Sequence, residues 1–161
     1  MSQFSTSWAL SRSRFNDTVS DLNQKQLSWR IHPQSLTIGE MALHVAGVEV
    51  SFVSQLTGAH SNEMQARLRL AATDGVVNEK PFPFSEQEIT PEVIAEHLDC
   101  GKRMVEPLIS NPSDQVLSKE IVSALGPVIT GAGAFARLAF HAAYHQGQAY
   151  LIRSAPGFPA A

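Results

Sequence analysis

Disulfides, basic tracts and alternating strands are all missing from this chain, and each absence narrows what it is. A single cysteine, Cys100, among 161 residues cannot build a disulfide framework. Met1-Ser2-Gln3-Phe4 lacks the basic region and apolar core of a secretory signal, so a reducing cytoplasm is the expected setting. Twelve Lys plus Arg against fifteen Asp plus Glu leave a net charge of -3 with no basic run, so nucleic acid is not an expected partner. Charged residues are scarce, 17% of the chain against roughly 25% in an average soluble domain. That shortage leaves apolar surface and points to a homodimer. Ile121 to Phe140 carries Arg137 as its one charge, but Gly126-Pro127, Gly131 and Gly133 interrupt it, so no membrane span is expected. With 43% apolar residues, one globular domain over 1–161 is expected. A chain of this length buries roughly two-thirds of its unfolded surface without disulfide or structural metal, so a metal would serve function first.

What is present is helical periodicity, and it predicts an all-α fold. Phe4, Trp8, Phe15, Val19 and Leu22 mark a first helix from about Ser5 to about Leu22. The second opens at Thr37-Ile38-Gly39-Glu40, a capping-box sequence, carries Ile38, Met41, Val45, Val48 and Phe52 as a seam, and stops at Gly58. The third starts at Thr90-Pro91-Glu92 and runs to about Asn111, with Ile94, Leu98, Gly101, Val105 and Leu108 inward. In the fourth, roughly Thr130 to Ser154, the seam is Phe135, Leu138, Ala142, His145, Ala149 and Ile152. About thirty residues separate helices two and three, a long crossover in which Asn62 to Leu70 is expected to form extra helix.

One histidine therefore lies in a core seam. His141-Ala142-Ala143-Tyr144-His145 puts two imidazoles one turn apart on one helical face, their Cβ atoms about 5–6 Å apart and able to share one ion. An imidazole facing a core needs a partner for each ring nitrogen, and a second histidine one turn away suggests a metal. Helix two offers a third ligand, His44, between Met41 and Val48. At about 1.5 Å per residue, His44 lies about 10 Å from the start of helix two and His145 about 13 Å from the end of helix four, so their depths match when those helices run antiparallel. Glu40, one turn before His44, and Gln148, three residues after His145, are candidates to stand beside the ion, with a cap as the preferred role of Glu40. Ala142 occupies the position where a His-Glu-x-x-His peptidase needs its general base. His97 and Cys100 form a competing pair on helix three, but with Val93 and Met104 they flank the core, and a structural role is expected. His32 and His60 fall in loops. Val128-Ile129-Thr130-Gly131-Ala132-Gly133-Ala134-Phe135-Ala136 imitates a dinucleotide fingerprint, yet no acidic residue follows Glu120 to take a ribose, and too little chain remains for a βαβ unit.

Together these residues resemble the DinB-like superfamily of bacterial four-helix-bundle proteins. The resemblance spans most of the chain and rests on three stretches: Leu27-Ser28-Trp29-Arg30, Thr37-Ile38-Gly39-Glu40-Met41-Ala42-Leu43-His44-Val45-Ala46, and His141-Ala142-Ala143-Tyr144-His145-Gln146-Gly147-Gln148. It departs at Gln146, where the family often has arginine. The resemblance implies an up-down-down-up bundle, a homodimer, and a divalent metal, often zinc or nickel, on His44, His141 and His145. Some members resemble transferases or isomerases that use low-molecular-weight thiols. Independently, three neutral imidazoles leave an ion's charge uncompensated and a coordination position open, which suits acidifying a water or a thiol. The expected function is a metal-dependent enzyme of the thiol-transferase or hydrolase type. The alternative is a non-catalytic, metal-binding or stress-related dimeric interaction module. No general base stands out.

Overall fold

A computed structural model describes residues 2–160. In chain order its elements are α1 (Gln3–Val19), α2 (Gln24–Leu27), α3 (Ile38–Thr57), α4 (Glu63–Leu70), α5 (Pro91–Ser110), α6 (Asp114–Ser118), β1 (Glu120–Val122), β2 (Val128–Thr130) and α7 (Gly131–Arg153). The four long helices are those the periodicity predicts. Their ends follow from local chemistry: the Thr37 hydroxyl accepts from the Glu40 amide at 3.0 Å while Glu40 Oε2 accepts from the Thr37 amide at 2.8 Å, the expected capping box. Thr90 caps α5 ahead of Pro91, and Gly58 closes α3 in the left-handed region at φ 73°.

Side-chain contacts give the helix directions. Phe4 meets Phe135, and Asp21 just beyond α1 bonds Arg153 at 2.7 Å, so α1 and α7 run parallel. Gly39 abuts Ile89 just before α5, and Gly101 abuts Glu49 and Ala46, so α3 and α5 also run parallel. Ser2 reaches Ser110 while Arg12 reaches Leu98, which makes α1 antiparallel to α5. Gly131 sits against Leu56 while His141 meets His44, which makes α7 antiparallel to α3. The bundle is up-down-down-up, and the histidine depths match for the reason anticipated.

The centre of the bundle is α3. Every residue from Ile38 to Val50 is buried, not only the predicted seam, because α4 and the rest of the crossover cover its outer side. Gly47 permits that close packing: a Cβ there would lie 2.5 Å from the Leu68 carbonyl oxygen. The crossover helix falls where expected, its start fixed by a capping box between Asn62 and Gln65.

Five elements, α1, α2, α6, β1 and β2, depart from the sequence expectations. α1 starts at Gln3 because Ser2 caps it, and it ends at Val19, leaving Leu22 buried beyond its end. α2 forms where none was expected, on a capping box between Asn23 and Gln26 too short to carry a period. β1 and β2 pair as an antiparallel hairpin with Ile121 opposite Ile129, although no strand was predicted; three-residue strands are too short to display alternation. The strand-then-helix half of the dinucleotide imitation is real, but β2 returns against its sequence neighbour, so no parallel crossover exists among the described residues. The glycine at its head serves packing: a Cβ on Gly131 would lie 1.9 Å from the Val116 carbonyl oxygen. No helix among the described residues is long and apolar enough to cross a membrane.

Candidate metal centre

His44 enters the bundle near the middle of α3, and His141 and His145 face it from consecutive turns of α7. His141 Nε2 lies 3.0 Å from His44 Nε2 and 3.1 Å from His145 Nε2. The three ligand atoms all lie within 4.8 Å of one another, and among the described residues no other group of His, Cys, Asp or Glu converges this way. His44 and His145 are buried, at 4% and 5% exposed, while His141 is half-buried at the opening.

Hydrogen bonding fixes what these nitrogens offer. The Nδ1–H of His44 donates to the Ala71 carbonyl at 2.9 Å, which leaves its Nε2 with a lone pair aimed at the other rings. His141 Nε2 faces two nitrogens at once. Protonated, it satisfies one neighbour; unprotonated, it confronts the His44 lone pair. No arrangement of neutral rings satisfies both contacts, whereas a shared cation satisfies all three. Tetrahedral coordination at about 2.0–2.1 Å separates ligand nitrogens by about 3.3 Å, close to the two short separations here. The residues fit a metal.

The rings are also held in the neutral form that ligation requires. Burial lowers the pKa of His44, with the Ala71 carbonyl opposing the shift. Burial, then the charges of His44 and His145, push His141 well below its ordinary value. Burial and then His44 push His145 to about 4, while Gln148 acts the other way. Each pKa is lower in the folded than in the unfolded chain, so the unfolded state binds more protons as pH falls through the ordinary histidine value of 6.5. Metal-free protein is therefore expected to melt at a constant temperature above about pH 7. Between pH 6.5 and 5 it should lose about 1.4 kcal/mol per pH unit for each histidine kept neutral. Thermal melts across that window check this, and a flat profile that His145→Ala leaves unaltered contradicts it.

Of the two candidates to stand beside an ion, Gln148 lies next to the histidines and Glu40 takes the cap role preferred for it. Glu40 faces away: its carboxylate accepts from the Thr37 amide and bonds Arg30 at 2.5 and 2.9 Å, so it is a cap and an ion-pair partner only. Gln148 stands by His145, and His145 Nδ1 and Gln148 Oε1 are both buried without a hydrogen-bond partner. His97 and Cys100 are elsewhere. His97 donates from Nδ1 to the Val93 carbonyl at 2.8 Å and stacks edge-on against Phe84, while burial raises the Cys100 thiol pKa. Both are buried and neither joins the histidine cluster.

The histidines form the floor of a cleft of about 860 Å³. Its walls are apolar, from Met41, Val48 and Phe52 on α3 and Phe140, Tyr144 and Leu151 on α7. Three participants escaped sequence reading. The Ala71 carbonyl comes from the crossover, and a backbone acceptor leaves no trace in residue type. His32 reaches the cleft from a loop, and Arg137 lines it one turn before His141; the spacing of Arg137 from His141 was the one available signal.

Residues 5–156 match the sequence profile of the Mycothiol-S-transferase family. The chain belongs to that family. None of the curated proteins compared matches it. Among solved structures, a conserved protein from Enterococcus faecalis superposes with a TM-score of 0.68 at 16% identity, covering 93% of this chain and 92% of that one. A DinB-like protein from Bacillus cereus ATCC 10987 superposes with a TM-score of 0.63 at 19% identity, covering 98% and 95%. At such identities these structures speak for the fold, and the DinB-like fold is the one read from the sequence. The Mycothiol-S-transferase match bears on the site: it joins a thiol-transferring family to a three-histidine cluster compatible with a divalent metal.

Proposed function

We propose that this member of the Mycothiol-S-transferase family is a metal-dependent thiol transferase. In this reading His44, His141 and His145 hold a divalent ion, zinc or nickel, and the cleft binds a low-molecular-weight thiol of the mycothiol kind beside an apolar electrophile. The convergence of three neutral Nε2 atoms on the floor of an apolar cleft carries it. When bound, the ion supplies Lewis acidity that lowers the pKa of a thiol. The protein's own groups orient and shield. The Ala71 carbonyl locks the His44 tautomer, and the carbonyl oxygen of Gln148 is the available acceptor for His145 Nδ1–H, which would set the second ring the same way. Met41, Val48 and Phe52 exclude water around the reacting sulfur. In the transfer, the thiol's proton passes to solvent water, a sulfur lone pair forms the S–C bond, and the pair of the broken bond departs with the leaving group.

Metal-loaded protein, a thiol and monochlorobimane test this, with thiol–bimane adduct and chloride as products. Adduct should form with mycothiol faster than without protein, and the gain should vanish on chelation and in His141→Ala. No acceleration with mycothiol, glutathione or cysteine overturns the transferase reading and favours the interaction module. The hydrolase arm of the sequence expectation finds no counterpart in the family match.

A homodimer is proposed on separate grounds. Leu125, Phe140 and Leu151, around the cleft mouth, are 71%, 65% and 69% exposed, an apolar concentration unusual for a solitary chain. Light scattering at micromolar concentration should give twice the chain mass; a single-chain mass removes the dimer.

A further inference from the structure

Arg137 is anomalous among the arginines of this protein. Those withdrawn from solvent otherwise have partners: Arg12 bonds Glu49, Arg69 bonds Ser61, and Arg153 bonds Asp21. Arg137 is half-buried, as Arg69 and Arg153 are, yet among the described residues its guanidinium has neither a hydrogen-bond nor an ion-pair partner. Its nitrogens are not among the buried unpartnered atoms, so the stem packs on the cleft wall while the guanidinium meets solvent and is free to exchange that water for an anionic ligand.

Its position says which ligand. Arg137 lines the cleft one helical turn before His141, so the Cβ atoms of the two residues lie about 5–6 Å apart on one face of α7. No aspartate or glutamate lines this cleft, and Arg137 is its one arginine or lysine. The remaining wall is mostly hydrocarbon and aromatic. A molecule that fills it therefore meets apolar surface along its length and one planar, five-donor cation beside the histidine floor.

We propose that Arg137 is the anion-recognition residue of this cleft, and that the electrophile bound there is an apolar molecule bearing a carboxylate or comparable anion. This rests on reading the cleft as the substrate site. The ligand's body packs along Phe140, Tyr144 and Leu151 while its anion takes two hydrogen bonds from the guanidinium. Arg137 thus selects the substrate by its charged end and orients the other end toward the histidines.

The test uses 2-naphthoate and its neutral isostere 2-naphthamide, titrated by fluorescence into purified protein of measured metal content. Wild type should favour naphthoate by about tenfold or more, the range of a charge-assisted hydrogen bond. Arg137→Gln should abolish that preference while leaving naphthamide affinity, metal content and melting temperature unchanged, and Arg137→Lys should restore part of it. A preference that survives in Arg137→Gln places the anion elsewhere and overturns the proposal. So does an equal loss of both ligands, which would make Arg137 a packing residue, and so does a wild type that binds no naphthoate at millimolar concentration. Because the readout is binding, a failed adduct assay refutes the transferase reading while naphthoate still reports whether Arg137 recognises an anion, and a lost naphthoate preference leaves the adduct assay standing.

Discussion

Elemental analysis is expected to find near one divalent ion per chain in the wild type and little or none in protein carrying His145→Ala. Loss of a residue that only orients a ligand typically costs 10–100-fold in metal affinity, and removal of a ligand itself should exceed about 100-fold. Two imidazoles remain, and His141, half-buried at the opening, is the less constrained of them. The bundle should survive. His145 lies at 5% exposure among α7 residues that pack without it, such as Ala142 and Ala149, and the metal-free wild type already keeps its imidazole neutral at a cost. Circular dichroism should show an unchanged helix content in the variant. If the wild type binds no zinc, nickel, iron, manganese or copper even after reloading, the three rings are a hydrogen-bonded cluster only. If the triple variant of His44, His141 and His145 unfolds, the metal is structural.

A second large effect belongs to a pair of charges far from that chemistry. Glu49, 1% exposed in the middle of α3, accepts from Trp8 Nε1 at 2.9 Å and from Arg12 Nε at 2.9 Å. Arg12, 2% exposed, also donates to the Leu98 carbonyl at 2.6 Å and to Asn16 Oδ1. The network ties α1, α3 and α5 at one level. Glu49→Ala removes the acceptor of two buried donors and leaves the guanidinium without a counter-charge, so it should cost about 3–5 kcal/mol. For a chain of this size that is a fall in melting temperature of roughly 10 °C or more. Replacing both partners by apolar residues, Arg12→Met with Glu49→Leu, should recover most of the loss, because the penalty lies in the orphaned charge. A Glu49→Ala protein that melts within 2 °C of wild type at neutral pH would show, by that small shift, that the pair contributes little, about the level expected of an exposed ion pair.

These two sites differ in how far the sequence announced them. The histidines were legible because His141 and His145 share a helical face by spacing alone, and because His145 occupies a seam position where an imidazole needs explaining. His44 followed once its helix was framed by Thr37 and Gly58 and its depth compared with that of His145. Glu49 was not legible. It sits beside the predicted seam, where a charged residue reads as solvent-facing, and only the packing of α1 and α5 against that face of α3 turns the position into an interior one. Arg12 escaped for the same reason, since one helix face does not reveal whether a neighbour will cover it.

The sequence by itself determined the helical class, the four long helices and the starts of all but α1, the crossover helix, and the three histidines as a unit, because all of these follow from spacing along a helix or from a cap within four residues. Only the tertiary structure decided the rest. The Ala71 carbonyl sets the tautomer of His44, Arg137 and the apolar walls form one cleft, Glu40 turns toward Arg30, and a short hairpin precedes α7. Each depends on which surfaces meet across the bundle, and a close approach such as that of Leu68 to Gly47 is a property of two segments that neither one encodes alone.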